Sequence, residues 1–217
     1  MNENNAKFFD NAELAAAGLT IDMIIEGLEF TNSILDLIDQ QLLSHNSPRL
    51  ANIVELANFS SIVGNLLGSG IARSSNGVFK RNGPHKYPDL LALVKEAENI
   101  EIKMALEDNN PKGHLAKAGY YLTCRYVLSD ANGQYKIGKE NRGDVILIWE
   151  LRFGNLAVDD FNISNTEGDS GKTAVINKKG MSKMKIIYCN LNGCPYSERG
   201  PIYKRYKNLF ESQSHLH

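Results

Sequence analysis

Three residues in a short span have the types and the spacing for hydrolytic chemistry at a phosphate. Asp89 follows Pro88 at the head of an apolar segment, and Glu101 and Lys103 stand two apart, twelve residues further on. Side chains alternate across a strand, so Glu101 and Lys103 point to one face and Ile100, Ile102 and Met104 to the other. Two carboxylates suit a hard divalent cation, because magnesium keeps several waters and needs only one or two carboxylates besides substrate phosphate. A lysine beside such a cation can orient a water or help to deprotonate it. A hairpin with ordinary surface charges is the plainer alternative. The upstream Pro88-Asp89 and the apolar opposite face favour the site.

The surrounding strands must meet one requirement. Asp89 and Glu101 share a cation only if the turn between them lies near Lys95, or if a bulge or bend brings Asp89 back. A regular hairpin centred on Ala97 would pair Asp89 with Ala105, about 13 Å along the strand from Glu101.

Ahead of this segment the chain reads as helical. Thr20 caps a helix over 21–44 whose apolar residues recur at helical spacing. A short alanine-rich turn at Leu14–Ala17, ending near Gly18, precedes it. A second helix is expected from Pro48 to about Leu67, stopped by Gly68-Ser69-Gly70. Residues 71–86 read as an exposed loop with Asn-Gly turns. After the 87–106 strand pair, His114–Ala118 is expected to form a helical turn and Gly119–Leu128 a strand. Asp144–Phe153 is apolar enough for a central buried strand, and Leu156–Ile163 is expected to continue the sheet. Met184–Tyr188 is another short strand. The expected architecture is a mixed α/β (α+β) fold, a central mixed sheet flanked by helices, with a helical N-terminal region. One domain is expected, divided into a helical part (1–70), a catalytic sheet (71–165) and a basic C-terminal part (166–217).

Bulk properties narrow the partners. The net charge of −1 gives no global field for nucleic acid, so any such surface must come from local clustering. Two stretches cluster. Residues 71–86 hold Arg73, Lys80, Arg81 and Lys86 with no acid, and 178–207 hold eight Lys or Arg against Glu198 alone. They read as walls of a nucleic-acid groove, in which Lys172, Lys178 and Lys179 contact phosphates and Arg73, Asn76, Arg81 and Asn82 reach base edges. Cys124, Cys189 and Cys194 are too few and too odd in number for a disulfide framework, which suggests a reducing compartment. No apolar run approaches the roughly 20 residues that span a bilayer. A cytoplasmic protein with no membrane partner is expected.

With these residues in view, Pro88-Asp89 followed by Glu101-Ile102-Lys103 resembles the PD-(D/E)XK nuclease superfamily, and within it the type II restriction endonucleases. The resemblance implies a restriction-endonuclease-like sheet, magnesium-dependent hydrolysis of phosphodiesters in double-stranded DNA, and a homodimer. It implies Asp89 and Glu101 as metal ligands, the Ile102 carbonyl as a further ligand and Lys103 as the catalytic lysine. A repair or junction-resolving nuclease of the same superfamily shares these features. A non-catalytic nucleic-acid-binding protein would keep the basic stretches without needing Asp89.

Other candidates are weaker. Glu55, midway along the expected second helix, could approach the metals but reads first as a solvent-facing residue. His114 and Lys117 could approach a phosphate. Thr166–Thr173 nearly matches a phosphate-cradling loop, with Thr166 in place of its first glycine. It reads better as a glycine-rich loop. Cys189 and Cys194 have a spacing that zinc could use but lack two convincing further ligands.

Overall fold

The computed structural model describes residues 5–83, 86–164 and 173–212. Strand β1 (Ala6–Phe8) and three helices, α1 (Ala12–Ala16), α2 (Ile21–Ser44) and α3 (Leu56–Ser74), open the chain. Thr20 caps α2 as its sequence predicts, its Oγ1 accepting the Met23 N–H at 3.2 Å. The turn at α1 is held by Asn11, whose side chain accepts from Glu13 and Leu14.

The second long helix departs from expectation at both ends. It begins at Leu56, after a single 3-10 turn at Leu50–Asn52, and runs through Gly68-Ser69-Gly70 to Ser74. Packing is the reason. Helices α2 and α3 cross where Gly27 meets Gly70, and a Cβ on Gly70 would stand 2.8 Å from the Gly27 Cα. Each glycine costs a helix about 1 kcal/mol. Burying a Leu or Ile side chain contributes about 1.5–3 kcal/mol, and Leu28, Leu35, Val63, Leu67 and Ile71 are all buried here. The close crossing therefore outweighs the local propensity.

Seven strands form the main sheet, drawn from every part of the chain. They are β1, β2 (Phe79–Arg81), β3 (Leu90–Ala92), β4 (Ile100–Leu106), β6 (Gly119–Ser129), β7 (Val145–Leu156) and β10 (Lys185–Asn190), in the order β1-β10-β7-β6-β4-β3-β2. Among the described residues only β4 and β6 pair in parallel. The remaining neighbours are antiparallel. A smaller antiparallel sheet joins β5 (Lys112–Gly113), β9 (Thr173–Ile176) and β8 (Phe161–Ser164). Leu156–Ile163 thus leaves the main sheet instead of continuing it. The chain turns through Val158–Asp160, where the Asp160 carboxylate accepts the Ala157 N–H and Lys183 Nζ at 2.9 and 2.7 Å. Residues 114–118 are not helical, and the expected loop before Pro88 contains the edge strand β2.

Helices α2 and α3 cover one face of the main sheet. On the other face, α5 (Pro201–Ser212) packs against Trp149 through Tyr206 and Phe210, and the small sheet with α4 (Lys178–Lys183) packs against Tyr121 and Leu156. The fold is a mixed α+β architecture with a central sheet flanked by helices. No helix among the described residues is long and apolar enough to cross a membrane.

Candidate metal and nucleic-acid site

The register of the β3–β4 hairpin meets the requirement set by the sequence. Leu90 pairs with Ile100, so the turn is centred on Lys95 and Asp89 falls opposite Glu101. The Asp89 carboxylate is held there by the backbone of β4, with Oδ2 accepting the Ile102 N–H at 2.9 Å. In a strand the N–H and C=O of one residue point to the same side, so the Ile102 carbonyl lies on the edge that faces Asp89. Asn82 fixes the incoming chain by donating from its backbone to the Asp89 carbonyl at 3.0 Å and from its side chain to Pro88 at 2.9 Å.

Glu101 and Lys103 share a face, as their spacing dictates, and Lys103 Nζ donates to Glu101 Oε1. The second oxygen, Oε2, is buried and has no hydrogen-bond partner among the described residues. A buried acceptor without a partner is costly. Burial pushes the Glu101 carboxyl above the usual carboxylate range, Lys103 pulls it down, and Asp89 pushes it up again. An orphaned oxygen beside a second carboxylate is a donor set that a hard divalent cation would satisfy. Among the described residues no cluster of three or more His, Cys, Asp or Glu is placed to hold a metal. A cation here would rest on the two carboxylates, the Ile102 carbonyl and the substrate's own oxygens.

Both basic groups of the site are seated against glycines. A Cβ on Gly113 would lie 2.5 Å from Lys103 Nζ, and a Cβ on Gly68 would lie 2.5 Å from Arg81 Nη1. Strand β5 thereby closes over the lysine, and α3 closes over the arginine. Arg81 donates from Nη2 to Asn65 Oδ1 at 2.9 Å and from Nη1 to the Asp89 carbonyl at 3.3 Å.

These residues open into a groove of about 1190 Å³ that runs along β4 between α3 and the small sheet. Lys86, Lys112 and His114 line it, and Ser60, Ser61 and Asn65 line it from α3. Tyr87 stands at the Glu101 end with the Lys117 ammonium 3.9 Å from its ring centroid. His114 therefore reaches the groove, while Lys117 contacts it only through Tyr87.

Several sequence-predicted residues lie elsewhere. Glu55 is the exposed N-cap position of α3 and makes no side-chain cap bond. It is not mid-helix and does not line the groove. Arg73 sits over the Phe30 ring at 5.7 Å, and Asn76 occupies a turn with φ +49. Lys178 and Lys179 form the exposed first turn of α4. None of these lines the groove. Lys172 and most of the glycine-rich loop lie outside the described residues. Cys124, Cys189 and Cys194 are buried free thiols, and burial pushes the Cys194 thiol up to about 11.

Behind the site is a buried charged network that the sequence reading missed. Arg125 donates to Glu150 Oε2 at 3.0 Å, Arg152 donates to Glu150 Oε1 at 2.7 Å, and Tyr206 donates to the same Oε1. A β-bulge opposite Arg125 puts Trp149 and Glu150 on one face of β7. The available signal was Glu150-x-Arg152 inside an otherwise apolar central strand.

No protein-family model matches the chain, and no curated protein matches it in sequence.

Proposed function

We propose that the protein is a magnesium-dependent endonuclease that hydrolyses phosphodiester bonds in double-stranded DNA at specific sites, in the manner of a type II restriction enzyme. The observation that carries this reading is the pairing of Leu90 with Ile100, which sets Asp89 opposite Glu101 with Lys103 ion-paired beside them. The Glu101 Oε2 that has no partner among the described residues and the lysines that line the adjoining groove support it.

Asp89, Glu101 and the Ile102 carbonyl would hold the magnesium ion. When bound, the ion would neutralise phosphate charge and acidify a water in contact with it. Lys103, held by Glu101 and covered by Gly113, orients the attacking water and offers its protons to the phosphate oxygens. Lys86 and Lys112 neutralise flanking phosphates. The water oxygen bonds to phosphorus as the bond to the 3′ oxygen breaks, and the water gives up a proton while the departing 3′ oxygen takes one up from solvent, leaving a 5′-phosphate and a 3′-hydroxyl. A cytoplasmic homodimer would present two such sites to a palindromic sequence, one for each strand.

Incubating the protein with plasmid and phage DNA, with magnesium or with EDTA, tests this directly beside Lys103→Ala. Discrete, metal-dependent fragments that vanish in the variant are expected. A smear would point to a nonspecific or structure-selective nuclease. Intact DNA with binding retained would leave a non-catalytic binding protein.

A further inference from the structure

Arg81 stands beside a carboxylate that a bound cation would use. Its Nη1 lies 3.6 Å from Asp89 Oδ1, and it also bonds the Asp89 carbonyl and Asn65. We propose that Arg81 is the resident counter-cation of Asp89, competing with the divalent ion for that carboxylate and, once displaced, binding the substrate phosphate. This rests on the reading of Asp89 and Glu101 as a cation site.

The argument is electrostatic and steric. A guanidinium and a divalent ion on one carboxylate repel each other, so each weakens the other's hold. Retreat is closed on the α3 side, because the missing Gly68 side chain leaves room only for the guanidinium in its present seat. A Cβ there would stand 2.5 Å from Nη1 and 2.9 Å from Ile102 Cδ1. The open direction is the groove, which Arg81 also lines. Guanidinium carries five N–H donors in a planar fork that matches phosphate oxygens. Displacement thus turns a carboxylate partner into a phosphate partner as cation and DNA arrive together.

Calcium titration by calorimetry, without DNA, tests the competition. Arg81→Met keeps the aliphatic stem and removes the charge, and it is expected to bind Ca²⁺ about two- to fivefold more tightly than wild type. Its affinity for DNA in Ca²⁺ should fall by about tenfold or more. Asn65→Ala, an exposed change that only unties Nη2, should tighten Ca²⁺ binding in the same direction by less. The opposite signs are the signature, since a purely structural arginine would lower both affinities. Unchanged or weaker Ca²⁺ binding in folded Arg81→Met overturns the proposal, and so does unchanged DNA affinity. A wild type that binds no Ca²⁺ overturns the cation site itself, which is a separate result.

Discussion

Gly113 touches Lys103 so closely that the lysine's position depends on the absence of a single carbon. A Cβ on Gly113 would lie 2.5 Å from Nζ and 2.6 Å from Cε. Gly113→Ala therefore displaces the ammonium without removing it. A misplacement near 1 Å costs on the order of a hundredfold in rate, so cleavage should fall by about that factor with KM little changed. Single-turnover kinetics check this. Wild-type rates in Gly113→Ala would mean that Lys103 has no positional role.

Glu101 predicts a pH dependence of definite sign. Its folded pKa is raised by burial, despite Lys103. A carboxyl raised in this way destabilises the fold as pH rises from its ordinary value through the raised one. Without cation, Glu101→Gln should therefore have a Tm at pH 7.5 equal to or above that of wild type. Calcium should raise the wild-type Tm and leave the variant unmoved. Cleavage should decline as pH falls through a window above the usual carboxylate range. A Tm well below wild type for the variant would contradict the cause assigned here.

The Arg125–Glu150–Arg152 network predicts a large stability loss. Glu150 is 1% exposed and Arg125 4%. Glu150→Ala would leave the buried Arg125 and the half-buried Arg152 without their shared carboxylate, a change that costs about 3–5 kcal/mol. Tyr206→Phe removes one hydroxyl from the Glu150 carboxylate and should cost about 1–3 kcal/mol. Urea unfolding measures both. A loss under about 1 kcal/mol for Glu150→Ala would mean that the arginines find water or other partners.

Lys86 and Lys112 line the groove. As phosphate contacts, each substitution to Ala should weaken binding to all DNA sequences alike and reduce the slope of log K against log salt by about 1. Filter binding in calcium across a salt series reads the slope. An unchanged slope would remove that lysine from the DNA path.

Residue pattern alone determined the local parts: the Thr20 cap, the α2 helix, the strands around Leu122 and Ile148, and the common face of Glu101 and Lys103. Each follows from the 3.6 or 2.0 period of one element, which needs no distant partner. The β3–β4 register was only bounded by sequence, since turns centred on Lys95 or Ala97 both satisfied the composition. Pairing with neighbouring strands and the bond from Ile102 N–H to Asp89 selected the first. Tertiary structure decided the rest. Gly68 and Gly70 read as a helix stop because glycine frays isolated helices, yet Gly70 lets α2 and α3 cross and Gly68 seats Arg81. Arg81 read as a base contact, and its ties to Asp89 and Asn65 within the groove were not legible in the sequence. Gly113 carried no signal at all, because what a glycine makes room for belongs to another strand.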